Sequence, residues 1–240
     1  SGTLTHFRHD PLNPKSISDN GIYALLEDRR GELWIGTYGG GLNRLDRGTN
    51  TFKAYIQNDS VPGRLSGPGV FSLYEDHEGA LWVGTYRGGL DRFDRETESF
   101  THFKSNPSDP RSLSNENVLC IHEDRTGNLW VGTMSGLNRL ERETGTFRRY
   151  LETDGLPNSY CNGILEDNQG NLWISTVKGI SQYDPERKVF RNFDQSDGLQ
   201  GNEFNSGAFA KDNRTGEMYF GGMNGFNLFD PDKVTKNPFV

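Results

Sequence analysis

Six residues of this chain, Tyr38, Tyr86, Arg87, Met134, Lys178 and Asn224, fall in one recurrent slot, a short turn after a Leu-Trp-Val-Gly-Thr-like segment. The slot is filled differently each time. Arg64, Arg111, Asn115, Asn158, Tyr160 and Glu203 lie in the longer loops that lead into each copy. Aromatic faces, amides and guanidinium forks are groups that hold sugars or carboxylates. Together they point to a ligand-binding mouth. Acid–base chemistry has less to stand on. The five histidines are His6, His9, His77, His102 and His122, and only His9 falls in a mouth-side loop. His122 takes a position filled elsewhere by Leu26, Tyr74 and Leu165, which is a core position. There is no histidine or cysteine spacing for zinc, no nucleophile elbow and no phosphate loop. The sequence therefore predicts no catalytic residue, no metal and no cofactor.

What would position the mouth is a repeat. Leu33-Trp34-Ile35-Gly36-Thr37 returns at Leu81–Thr85, Leu129–Thr133 and Leu172–Thr176, with a worn copy at Met218–Gly222. The aromatic positions 34, 82, 130, 173 and 219 are separated by 48, 48, 43 and 46 residues. A period in the forties made of short strands and turns indicates propeller blades. Each copy opens with an apolar run ending in Glu-Asp, then an Asp-x-x-Gly turn, as in Asp28–Gly31, Asp76–Gly79, Asp124–Gly127 and Asp167–Gly170. Asp bonds its own downstream backbone and Gly supplies positive φ, so the turn is a hairpin. That capping accounts for the recurrent Glu-Asp pairs. A third strand follows the slot, and a fourth carries two aromatics three apart: Phe52/Tyr55, Phe100/Phe103, Phe147/Tyr150, Phe190/Phe193. One first-strand position stays small (Ala24, Ser72, Cys120, Gly163, Ala208), as close packing requires. The tryptophans, which recur with the blade, belong to its core.

The expected fold is all-β: one domain over 1–240, a five-bladed propeller with four strands per blade. Its repeats run over about 18–55, 66–103, 114–150, 157–193 and 202–230. The last repeat lacks its fourth strand, and the segment 3–7, with Leu4 and Phe7 three apart, is expected to complete it and close the ring. A net charge of −7 offers no basic field for nucleic acid. No apolar run approaches the roughly 18 residues that span a membrane, and no signal peptide opens the chain. The chain is then either soluble as it stands or an excised domain of something larger. Cys120 and Cys161 fall on neighbouring first strands, where two reduced apolar residues are the simpler reading.

The Leu-Trp-Ile-Gly-Thr segment, followed by Gly-Gly-Leu-Asn-Arg-Leu-Asp and preceded by Glu-Asp-x-x-Gly, resembles the two-component regulator propeller repeat. Gly222–Pro231 looks like the form that such arrays take at their last repeat. The resemblance implies an extracytoplasmic, periplasmic sensor region of a hybrid histidine kinase. Its expected ligand is a small molecule or oligosaccharide, and its expected partners are further propeller and signalling domains of a larger chain. The family's rings usually have seven blades, where this sequence has five. Two other readings stay open. Propellers also serve as protein-binding scaffolds. Streptogramin lyases resemble these repeats too, and Glu116 or Glu203 would then be the base.

Overall fold

Asp28, Asp76, Asp124 and Asp167 each fix the first turn of a blade, and each does it with both carboxylate oxygens. In a computed structural model, which describes residues 4–234, Asp28 Oδ1 accepts the backbone N–H of Arg30 at 3.0 Å and of Glu32 at 2.9 Å. Its Oδ2 accepts the indole N–H of Trp34 at 2.8 Å. The same bond recurs from Trp82 to Asp76 at 2.8 Å, Trp130 to Asp124 at 2.7 Å and Trp173 to Asp167 at 2.9 Å. The turn glycine, Gly31, has φ 77°, a left-handed conformation that costs glycine little. At the other end of the Trp strand, Thr37 Oγ1 donates to the Gly41 carbonyl at 2.8 Å, closing the next turn. Thr85, Thr133 and Thr176 repeat this.

The chain forms two compact units, Ser1–Phe103 and Lys104–Val240. The first holds two four-stranded antiparallel sheets. One comprises β1 (Ile22–Glu27), β2 (Leu33–Thr37), β3 (Leu42–Asp46) and β4 (Thr51–Tyr55). The other comprises β5 (Gly69–Glu75), β6 (Leu81–Tyr86), β7 (Leu90–Asp94) and β8 (Ser99–Phe103). The second unit holds β9 (Val118–Glu123), β10 (Leu129–Thr133), β11 (Gly136–Glu141) and β12 (Thr146–Tyr150), then β13 (Cys161–Glu166), β14 (Leu172–Thr176), β15 (Gly179–Asp184) and β16 (Val189–Phe193). Its last sheet has three strands among the described residues: β17 (Phe204–Lys211), β18 (Met218–Gly222) and β19 (Gly225–Phe229). In all five, sequence order is spatial order, the up-and-down pattern of propeller blades. The fold is the five-bladed, all-β propeller type that the repeat predicts.

Within each unit, the blades pack through the tryptophans. Trp34, with none of its surface exposed, lies edge-on to Phe93 of the next sheet at 5.2 Å. Trp130 meets Tyr183 at 5.7 Å, and Trp173 meets Phe229 at 4.9 Å. The small first-strand residue has a cross-strand counterpart, and the two trade volume. Ala24, Ser72 and Cys120 pair with Gly36, Gly84 and Gly132, whereas Gly163 pairs with Ser175. A Cβ on Gly132 would sit well inside van der Waals contact of Cys120 Sγ and 3.0 Å from the Cys161 carbonyl oxygen. Gly132→Ser should therefore cost about 1–3 kcal/mol by overpacking. Adding Cys120→Gly, which reproduces the Gly163/Ser175 pair, should recover most of it in a double-mutant unfolding cycle; purely additive losses would refute the pairing. Cys120 and Cys161 are free and buried, and burial pushes the Cys120 thiol up to about 12.

The N-terminal segment departs from expectation. Thr3 lies outside the described residues, and Leu4–Phe7 forms no strand. Phe7 instead stands edge-on to Phe52 of β4, 5.2 Å between ring centres. An apolar partner in the first sheet is thus what the ring meets, and Leu4 is left exposed.

Candidate functional site

In three of the five sheets a backbone hydrogen bond ties the loop leading into the innermost strand to the loop after the Trp strand. Tyr38 N–H donates to the Gly21 carbonyl at 2.8 Å, Met134 to Asn117 at 3.2 Å and Met223 to Glu203 at 3.1 Å. The two loop sets therefore share one end of each of these sheets, as the sequence predicts. What rises between them is set by an irregularity in the innermost strand. Ile22 pairs with Thr37 but Ala24 pairs with Gly36, so Tyr23 is an extra residue in the ladder. The same slip makes Phe71, Leu119 and Asn162 the extra residues of β5, β9 and β13. A bulge of this kind re-aims one side chain.

In the first unit both re-aimed residues are aromatic, and they join the slot residues in a stack. Ring centres are 4.9 Å apart for Tyr23–Phe71, 5.2 Å for Phe71–Tyr86 and 5.5 Å for Tyr23–Tyr38. Tyr38 lies 6.3 Å from Phe71 and 6.4 Å from Tyr86. All five interplanar angles fall between 14° and 29°, so the four rings present nearly parallel faces. Tyr23 and Tyr38 are 57% and 52% exposed, a large aromatic surface turned to solvent. The Arg87 guanidinium caps the stack 4.9 Å above the Tyr86 ring. Two backbone features hold this together. Gly69 passes so close beneath the Tyr38 carbonyl that a Cβ there would collide with it, which sets β5 and Phe71 beside Tyr38. Arg87 has φ 62°, a left-handed conformation costing a non-glycine residue about 1–2 kcal/mol.

Of the twelve residues singled out from sequence, the structure thus brings together Tyr38, Tyr86 and Arg87. Tyr23 and Phe71 were missed, although the signal was there: each immediately precedes the small first-strand residue. Arg64 and Arg111 sit elsewhere. The neighbouring Gly63 carbonyl accepts from Phe100 at 2.9 Å, and the Arg111 carbonyl from Phe147 at 2.6 Å, which lays both beside the outer strands β8 and β12. In the second unit Asn115 Nδ2 donates to Ser135 Oγ at 3.1 Å beside Met134, and Asn158 Oδ1 accepts from the Tyr160 backbone at 2.9 Å. Burial raises the Tyr160 phenol. Lys178, Glu203 and Asn224 are exposed at the loop ends. These form no shared aromatic surface among the described residues. Nor do the described residues contain a cluster of three or more metal-binding side chains.

Comparison with known proteins bears on what such a surface serves. A family model described as "Two component regulator propeller" matches at residues 16–39, 64–87, 112–135 and 155–178, each match running from the leading loop through the Trp strand into the slot. Among solved structures, the extracellular domain of the putative hybrid two component system BT3049 from B. thetaiotaomicron is 26% identical with TM-score 0.64, covering 90% of this chain and 34% of that one. The corresponding domain of BT4673 from the same organism is 21% identical with TM-score 0.73, covering 99% and 39%. This chain thus spans little more than a third of either. Virginiamycin B lyase from Staphylococcus aureus, in a complex with quinupristin, is 18% identical with TM-score 0.64, covering 90% and 72%, a likeness of fold. No curated protein matches. The four matches fall in register with the four complete Trp strands, so the repeats of this chain resemble two-component regulator propeller repeats, and the chain is similar to part of the extracellular domains of those hybrid two-component systems.

Proposed function

We propose that this chain is the non-catalytic, ligand-binding part of a periplasmic or extracellular sensor, and that a hydroxyl-rich ligand, an oligosaccharide, binds on the aromatic stack of the first unit. The observation that carries the proposal is the stack itself: four near-parallel rings, half of them mostly exposed, capped by a guanidinium. Faces of sugar rings are apolar and pack on aromatic planes, while their hydroxyls and carboxylates accept from a guanidinium. The fold does not need those groups, since the slot takes Met134 or Lys178 in other blades. A bound ligand would be reported through the further domains of a larger chain. Glu116 and Glu203, the residues a lyase reading would use, are exposed loop residues of the second unit.

Calorimetric titration with a panel of neutral and acidic oligosaccharides tests this. Arg87→Ala should weaken binding by about 1.5–3 kcal/mol, the loss of a hydrogen bond to a charged group. Its stability should stay within about 0.5 kcal/mol of wild type, because alanine inherits the same backbone conformation. Arg111→Ala, in a loop beside the outer strand β12, should change neither. Equal affinities for wild type, Arg87→Ala and Tyr38→Ala would remove the stack from the site.

A further inference from the structure

Neighbouring blades within each unit join in the same way. In the first unit Trp34, Leu42 and Tyr55 of the leading sheet pack on Val70, Val83 and Phe93 of the following one. In the second unit Trp130, Leu137 and Tyr150 pack on Cys161, Ile174 and Tyr183, and Trp173, Ile180 and Phe193 pack on Phe204, Phe220 and Phe229. Each junction thus has a projecting half, made of a tryptophan, a Leu or Ile and an aromatic ring, and a receiving half of apolar residues on the next sheet.

The first sheet carries a receiving half with no tryptophan in it. Ile22, Ile35 and Leu45 stand at the positions of Val70, Val83 and Phe93. With Leu25, Leu33 and Phe52 they line a groove of about 360 Å³. The apolar cluster there, Ile17, Ile35 and Phe52 with Leu33 and Leu45, lacks the ring that fills the other junctions. Leu25 is 66% exposed, whereas its counterparts Ile121 and Ile164 are buried. One piece of a projecting half is already in place. Phe7 meets Phe52 as Tyr55 meets Phe100 and Tyr150 meets Phe190, at 5.2, 6.1 and 6.3 Å.

The last sheet carries the opposite defect. Phe226 of β19 stands where the other sheets have Leu42, Leu90, Leu137 and Ile180, all wholly buried, yet it is 64% exposed. In complete sheets a fourth strand covers that position, with Tyr55 opposite Leu42 and Tyr150 opposite Leu137. A Cβ on Gly225 would meet nothing within 4 Å, whereas one on Gly41 or Gly179 would strike the carbonyl oxygen of Tyr55 or Phe193 in that strand. Among the described residues, the outer edge of β19 is unpaired.

Complementary halves in the first and last sheets of one chain are the condition for heterologous association. We infer that this chain assembles head to tail with a second copy of itself, the β17–β19 sheet of one copy seated on the open face of the β1–β4 sheet of the next. Leu4–Phe7 of that next copy then runs along β19 as its fourth strand. In the first sheet Phe52 and Tyr55, three apart, face Leu45 and Leu42. The same register sets Leu4 opposite Phe229 and Phe7 opposite Phe226, so Leu4, 89% exposed in a single copy, is covered. Tyr219, which replaces the tryptophan in the last repeat, is the ring that enters the groove. The contact removes exposed apolar surface and an open strand edge together.

Sedimentation velocity of the intact chain, from low to high micromolar, tests this. Wild type should form species larger than a monomer in a concentration-dependent way. Leu25→Arg, which spoils the groove, and Phe226→Asp, which spoils the projecting sheet, should each sediment as monomers. Both positions are exposed, so neither change should disturb the fold of a single copy. An equimolar mixture of the two variants retains one intact groove and one intact projecting sheet. It should form a dimer and nothing larger. Val189→Asp, exposed on β16 and in neither half, should associate as wild type does. A monomeric wild type would overturn the inference and leave the open face to a further repeat of the same chain. Association of either variant alone, or a mixture that stays monomeric, would overturn it as well.

Discussion

Trp34→Ala should destabilise the first unit by about 3–5 kcal/mol, the range for truncating a fully buried aromatic. The indole is closed off from solvent, packs on Tyr55 and Phe93, and has the guanidinium groups of Arg44 and Arg95 over its face at 5.6 and 5.7 Å. Its removal opens a cavity between two sheets and takes a donor from Asp28 at the same time. Trp34→Phe shifts the balance between those losses, since it keeps a six-membered aromatic ring in the packing but removes the N–H with the rest of the pyrrole ring, the lost hydrogen bond costing about 1–3 kcal/mol. Urea unfolding, with hydrogen exchange of the β1 and β2 amides to localise the effect, measures both. A phenylalanine variant as unstable as the alanine one would mean that the indole hydrogen bond, and not the packing, dominates.

Asp28→Ala is expected to cost a similar ~3–5 kcal/mol, because it takes from the nearly buried Arg95 guanidinium the most buried of its three carboxylate partners, Asp28, Glu32 and Glu75. The Asp28 side chain is fully buried and that of Arg95 is only 12% exposed. The substitution also strips the β1–β2 hairpin of its side-chain acceptor and orphans the Trp34 indole. Acid should reproduce part of the effect. Burial pushes the Asp28 carboxyl up, but the Trp34 indole, the Glu32 backbone N–H and Arg95 together hold it below its ordinary value. A carboxyl depressed in the folded state contributes stability that is present above the unfolded value of about 3.9 and lost as pH falls through the lower folded value. Asp124 is held down in the same sense. The stability gap between wild type and Asp28→Asn should therefore narrow on acidification below about pH 4. A gap constant from pH 6 to pH 2.5 would show that the carboxylate's charge is not what the hairpin uses.

The repeat, the hairpins and the small first-strand position were legible because each is a local instruction written several times over. Asp-x-x-Gly needs four residues and no partner. The bond from Trp34 to Asp28 spans six residues and becomes visible only once the hairpin has formed and aimed the indole back at the turn. Arg95 reaches Asp28 and Glu32 of the preceding blade, so its part has meaning only after the two blades are stacked. Tyr38, Tyr86 and Arg87 could be found because they break the repeat at a turn. Tyr23 and Phe71 could not be found by counting alternate residues, since the inserted residue of the bulge shifts that count by one. Arg64 and Arg111 were placed at the mouth by loop membership alone, whereas their loops run along the outer strands before turning inward. Phe7 was matched to a blade lacking a strand, and its ring is spent on Phe52 instead.

The recurrent bulge has a consequence for how such a surface could change. Ladder partners constrain one another, so a new side chain in a paired position must suit the residue opposite. Tyr23, Phe71, Leu119 and Asn162 are the residues opposite none, and in this one chain that place already holds a phenol, a phenyl, an isobutyl group and an amide. It behaves as a socket into which different heads are fitted while the shaft stays the same. In the second unit the socket is closed over, with Leu119 and Asn162 buried. In the first unit Tyr23 stands out in solvent, so a new ligand preference could arise there by single substitutions that leave every strand in register.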